Sequence, residues 1–190
     1  MPLWGETLCL DYANSVYWSP EDEHVEPERT DVLRTGDMLG RWGRRLDLLG
    51  DNAKSVSEAE LRHARDLRDA AYRLFSSISR DQEPARKDLD VLMSNYVEAV
   101  ERGSLLRAEH FYKLDWPARD ARRIRYAVAT DAIALLLDRS RLNRVSRCPG
   151  RDCGWLFLNT SGRRRWCSMS TCGSREKMRR LHQRRTGGSA

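Results

Sequence analysis

Through residues 1–140 the apolar side chains recur at spacings of three and four, the period of an α-helix. Leu8, Tyr12 and Val16 share one face, with Cys9 and Ala13 beside it, and Met38, Leu39, Trp42 and Leu46 form a second short stripe. Leu61, Ala64, Leu67, Ala71, Leu74 and Ile78 predict a helix of roughly six turns. Ser57-Glu58-Ala59-Glu60 precedes it as a capping box, in which the Ser57 hydroxyl takes the Glu60 amide and the Glu60 carboxylate reaches back. Pro84 suits a first helical turn. Leu89, Leu92, Met93, Tyr96, Val97 and Val100 predict the face that follows, and Gly103 a left-handed cap at its end. Over 104–116 the pattern breaks. Leu105-Leu106 and Phe111-Tyr112 flank polar residues there, which predicts a short β-hairpin. Pro117 then opens a helix whose face carries Ala121, Ile124, Ala127, Val128, Ala132, Leu135 and Leu136.

After residue 140 the pattern changes character. Trp155-Leu156-Phe157-Leu158 is apolar, Asn159-Thr160-Ser161-Gly162 is turn chemistry, and residues 163–166 return, which predicts a second hairpin. Around it lie Cys148-x4-Cys153, thirteen intervening residues, and Cys167-x4-Cys172. Two thiol pairs separated by a hairpin-sized insert match a structural zinc site with four cysteine ligands. Gly154 and Gly173 follow the second cysteine of each pair and predict tight turns around the sulfurs. Ser174 is the expected N-cap of a basic final helix, which Met178 and Leu181 would pack onto the hairpin. The expected fold is therefore mainly α. A helical domain over 1–140 carries one short hairpin, and a treble-clef-like finger over 141–190 consists of knuckle, hairpin and basic helix. A module this small needs a metal staple.

Charge divides at the same place. Residues 141–190 hold 13 Lys+Arg against 2 Asp+Glu, a balance of +11, while residues 1–140 hold 21 against 26, a balance of −5. Four thiolates on Zn²⁺ leave a formal −2, which Arg147, Arg151 and Arg163 can offset. The remaining excess points to a polyanion, with Arg164, Arg165, Arg175, Lys177, Arg179, Arg180, Arg184 and Arg185 as the candidate contacts. No apolar run approaches the ~18–20 residues of a membrane helix. The first residues carry neither a basic nor an apolar leader region, so a cytoplasmic protein is expected.

Cys148-x4-Cys153-Gly154-Trp155-Leu156-Phe157, followed by Arg164-Arg165-Trp166-Cys167-Ser168-Met169-x2-Cys172-Gly173-x-Arg175-x-Lys177, closely resembles the bacterial CGNR zinc finger. Leu8-Cys9-Leu10-Asp11-Tyr12-Ala13-Asn14 resembles the opening of ABATE, the domain that precedes this finger. The resemblance implies one zinc held by the four cysteines, DNA binding, and a stress-related regulatory role. The signature here reads Cys172-Gly173-Ser174-Arg175, with Ser where the family has Asn, and Asn159 stands where the family often has Asp.

These observations favour a DNA-binding transcription regulator, with the helical body as sensor or dimerisation platform. Trp4, Tyr12, Tyr17, Trp18 and Trp42 are either core aromatics, the favoured reading, or the lining of an effector pocket. RNA, or an acidic protein surface such as the protein's own body, is the alternative partner, and exposed Trp155, Phe157 and Trp166 would favour RNA. A small-molecule effector and a homodimer stay open. An enzyme is disfavoured. Four cysteines close a zinc site, and His24, His63, His110 and His182 form no ligand pair with a nearby Glu. Asp11 and Asn14 read as a buried polar pair, and Cys9 as a small core residue.

Overall fold

The computed structural model describes residues 3–16, 31–151 and 153–186. Its helices are α1 (Leu8–Ala13), α2 (Gly36–Arg45), α3 (Glu58–Ile78) and α4 (Arg86–Arg102), then α5 (Arg123–Leu137), α6 (Arg139–Leu142) and α7 (Ser174–Thr186). A hairpin of β1 (Ser104–Ala108) and β2 (Phe111–Asp115) joins α4 to α5, as the break in periodicity predicts. A second antiparallel pair, β3 (Val145–Arg147) and β4 (Leu156–Leu158), begins the finger. One turn of π-helix (Met169–Gly173) runs directly into α7. Among the described residues no helix is long and apolar enough to cross a membrane.

Side-chain caps start the first three helices. The hydroxyls of Thr7, Thr35 and Ser57 accept the amides of Leu10, Met38 and Glu60 at 3.3, 3.2 and 3.2 Å. Only half of the predicted capping box forms. The Glu60 carboxylate turns inward to the buried Arg125 guanidinium at 2.9 Å, a charged partner that outcompetes a backbone amide.

Two other boundaries and one helix face differ from the sequence pattern. Pro117 does not open α5, because the carbonyls of Ala118 and Arg119 accept the amides of Gly50 and Lys54, and the helix waits until Arg123. Gly103 takes φ −85° and ψ 163°, so it is no left-handed cap; a Cβ there would lie 2.6 Å from Leu114 Cδ1. On α4 the buried face is Asp88, Leu92, Asn95 and Ala99, and the expected Met93, Val97 and Val100 are about half exposed.

The main core forms where α1, α3 and α5 meet. Leu10, Tyr12, Leu67, Leu74, Phe75, Val128 and Leu135 are all buried there. Tyr12 packs against Trp42 with ring centroids 5.2 Å apart and donates to the Ala64 carbonyl at 2.8 Å. These two aromatics are core, as favoured; Tyr17 and Trp18 lie outside the described residues. Cys9 is fully buried beside them, and burial pushes its thiol well above the ordinary range.

The finger's hairpin departs most from expectation. Leu156–Leu158 pairs with Val145–Arg147, upstream of the first cysteine, and residues 163–166 form no strand. The other edge of β4 is already taken. Asn14 Nδ2 donates to the Leu156 carbonyl at 2.7 Å, Asn14 Oδ1 accepts the Leu156 amide at 2.8 Å, and the Gly5 carbonyl accepts the Leu158 amide at 3.0 Å. A returning strand finds no free backbone there. Alternation along β4 then divides its side chains between two clusters: Leu156 and Leu158 join the main core, and Phe157 points to the cysteines.

Candidate metal centre and nucleic-acid interface

The first knuckle closes on itself. The Cys148 amide donates to the Trp155 carbonyl at 2.8 Å and the Cys153 amide to the Gly150 carbonyl at 3.0 Å. Gly150 is the glycine this geometry requires, since a Cβ there would lie 3.2 Å from Cys172 Sγ. Gly154 and Gly173 are buried, and neither has a positive φ. At Gly173 a Cβ would lie 2.9 Å from Sδ of the exposed Met169 and 3.3 Å from the Trp166 ring. Cys167 precedes the π-helical turn, and Cys172 lies within it.

All four cysteines are buried and unpaired by disulfides, and their sulfurs lie within 4.8 Å of one another. Cys153 to Cys167 is 3.7 Å and Cys167 to Cys172 is 3.6 Å. A tetrahedron with Zn–S bonds of about 2.3 Å has edges of about 3.8 Å, so the separations fit one zinc ion and are far too long for S–S bonds. Protonation tells the same story. Bonds from Cys153 and Cys167 favour the Cys148 thiolate, while that same Cys148 pushes Cys153 up to about 12 and raises Cys167 as well. Cys148, Cys153 and Cys167 resist ionising together, and a dication removes that conflict by binding them as thiolates.

Phe157 is buried against the sulfurs, and Trp155 and Trp166 are half-buried around them. Trp155 packs against Trp4 of the body at 5.4 Å. These aromatics build the finger's interior, which removes the main support for base stacking.

The candidate contact arginines divide into two groups. Arg164 is engaged within the chain. Its guanidinium covers the Phe157 ring at 4.5 Å and donates to the carbonyls of Trp166, Cys167 and Trp4 and to the Glu6 carboxylate. It ties the second cysteine pair to the N-terminal segment. The others face solvent. Arg165 lies near the Trp166 ring at 5.8 Å, and Arg179 and Arg180 share Glu176 at 2.8 and 2.7 Å. Arg175, Lys177, Arg184 and Arg185 are exposed, with no acidic partner among the described residues.

Ser174 is not an N-cap. It is already helical (φ −66°, ψ −43°), and its hydroxyl donates to the Met169 carbonyl, because the π-helical turn feeds α7 without a break. Nor do Met178 and Leu181 pack α7 down; they are 65% and 40% exposed. The helix projects from the metal centre.

Asp11 and Asn14 form the buried polar pair, Asp11 Oδ1 accepting the Gly5 amide at 2.8 Å and Asn14 joining α1 to β4. His63, His110 and His182 are exposed; His24 lies outside the described residues. The sequence reading missed Tyr72, whose hydroxyl donates to the Gly154 carbonyl at 2.8 Å. A tyrosine beside a helical apolar stripe carries no signal that its hydroxyl crosses to another module.

The family model of ABATE, described as "putative stress-induced transcription regulator", matches residues 6–139, and that of the CGNR zinc finger matches residues 144–185. No curated protein matches the chain. The chain belongs to the ABATE family and carries, after that domain, a CGNR zinc finger with one structural zinc.

Proposed function

We propose that this protein is a cytoplasmic bacterial transcription regulator that binds duplex DNA through its finger. Cys148, Cys153, Cys167 and Cys172 are the zinc ligands. Arg165, Arg175, Lys177, Arg179, Arg180, Arg184 and Arg185 supply the contacts, and Arg164 positions the finger instead. Residues 1–140 are the regulatory body and 141–190 the contact module. Its function is binding, not catalysis.

One observation carries the reading: the last helix of the finger projects a cluster of exposed, unmatched cations, whereas the buried arginines of the body are matched. The buried body arginines are matched to carboxylates, Arg68 to Asp31 and Asp69 and Arg125 to Glu60 and Glu98, as is half-buried Arg73 to Asp88. Those of α7 stand in solvent on a projecting helix, four of its cations without acidic partners among the described residues. Unmatched cations on an exposed helix suit phosphate contact.

The test is a fluorescence titration of zinc-loaded protein with duplex DNA over a salt series. Log K is expected to fall with log salt by about 0.9 per phosphate contact, with roughly four to six contacts. Arg179→Ala with Arg180→Ala is expected to reduce that slope by about 1–2 while zinc is retained. A flat salt response, or unchanged affinity in the double variant, removes α7 from a DNA interface.

A further inference from the structure

Away from the finger, the start of α3, the end of α4 and the loop into α5 border an open cleft of about 580 Å³. Its walls include Lys54, Ser55, Ser57, His63, Arg119 and Arg125, and no Phe, Tyr or Trp side chain. The volume is that of a small-molecule site, and the lining carries several charged side chains where most such sites have few.

The floor is a closed ion network. Arg125 is 3% exposed and donates to both oxygens of Glu60, at 2.9 and 3.2 Å, to Asn95 at 2.6 Å and to Glu98 at 2.8 Å. Glu98 also accepts the Tyr126 hydroxyl at 2.7 Å and pairs with Arg102 at 3.2 Å. On the wall Arg122 is matched to Asp120 at 2.8 Å. Burying such a network is costly and is not needed to fill space. It takes Glu60 away from capping its own helix, and it fixes the cleft's floor rigidly.

With floor and wall balanced, two positive charges remain. Lys54 and Arg119 line the cleft, are exposed, and have no acidic partner among the described residues. Their segments are held together by the Lys54 amide, which donates to the Arg119 carbonyl at 3.2 Å. Ser57 adds a donor: its oxygen accepts the Glu60 amide, which leaves its own proton free. Two unmatched cations and a free hydroxyl proton describe a receptor for a doubly charged oxyanion.

We infer that this cleft binds a small oxyanion metabolite, a phosphate monoester or a dicarboxylate, and that Lys54 and Arg119 are its principal contacts. The inference is independent of DNA binding by the finger.

The rival binder of any anion in this chain is the arginine-rich α7, so the experiment must report location. The ¹⁵N-labelled, zinc-loaded full chain is titrated at constant ionic strength with inorganic phosphate, glycerol 3-phosphate or succinate, and with glycerol as the uncharged control. The expected result is saturable shifts of the amides of 54–60 and 119–122 with at least one anion and none with glycerol. In Lys54→Ser with Arg119→Ser the affinity is expected to fall at least tenfold. Both side chains are exposed, and the unchanged spectrum of the main core would verify that the variant folds. Comparison of glycerol 3-phosphate with succinate identifies the anion class. Shifts confined to 174–186, no saturable shift at 54–60 and 119–122 with any of the three anions, or equal affinity in the double variant would overturn the inference.

Discussion

The body and the finger bury their side chains by different means. The body's cluster draws aliphatic and aromatic residues from α1 to α5 and from both finger strands. The finger's own cluster is four cysteines and Phe157, rimmed by Trp4, Trp155 and Trp166. Without its thiols that second cluster keeps one fully buried aromatic, so the metal must supply what apolar area cannot. The boundary between the two runs along a single strand. Leu156 and Leu158 belong to the body and Phe157 to the zinc site, so the finger is half folded by its neighbour and half by its ion.

Zinc removal tests that division most severely. A structural zinc contributes about 10–16 kcal/mol to a finger's folding, so chelation or Cys167→Ser should abolish order in 159–186. The β3–β4 pair and the body helices should survive, since Val145, Leu156 and Leu158 are held by the main core. Hydrogen exchange reads this directly: free exchange is expected from 159 onward and retained protection at 145–147, 156–158 and in α3. Loss of protection throughout would show that the body depends on the metal too.

Two adjacent truncations sharpen the comparison. Leu156→Ala removes a fully buried side chain from the main core, at a cost of about 2–5 kcal/mol. It should lower the Tm of the whole chain by roughly 2–4 °C per kcal/mol. Phe157→Ala removes an equally buried ring one residue away, yet its loss should appear as faster zinc release to a chelator, with the body's melt little changed. Equal effects of both variants on the body's melt would mean the two clusters act as one.

Asn14→Ala attacks the seam itself. It leaves the Leu156 amide and carbonyl without their partners in a buried site, and each orphaned group costs about 1–3 kcal/mol. A drop of at least about 2 kcal/mol in urea unfolding is expected. A neutral result would show that water replaces the side chain there.

Asn14 also shows what the sequence could and could not disclose. Periodicity revealed the helices that supply the core, because burial of one face leaves its mark every three or four residues, and cysteine spacing revealed the metal site. The pairing of β4 stayed hidden. Its partner is set by which edge the Asn14 amide and the Gly5 carbonyl occupy, about 140 residues upstream. Arg164 reads as one more cation in a basic run, and only the fold shows it bonded to Trp4 and Glu6. Likewise Glu60 reads as a cap until Arg125, from another helix, is seen to claim it. Local chemistry is legible in a sequence; long-range competition for the same group is not.

The smallest expected effect concerns the other end of the seam. Asp11 is buried beneath the N-terminal segment, and burial, opposed by the amides of Gly5 and Trp4, raises its carboxyl from the ordinary 3.8 to about 6. Gly5 links this group to the finger, donating its amide to Asp11 while its carbonyl accepts from Leu158. A carboxyl whose native pKa exceeds its unfolded one binds more protons in the native state between those values. The stability it contributes is therefore full below about pH 4 and lost as pH rises through about 6. Asp11→Asn keeps an oxygen for the Gly5 amide and removes the ionisation. The Tm difference, variant minus wild type, should accordingly become more positive from pH 4 to pH 7, and taking that difference cancels the pH dependence of zinc binding common to both. Parallel curves would show that the carboxylate is solvated as well in the folded chain as in the unfolded one, and that the seam holds without regard to its charge.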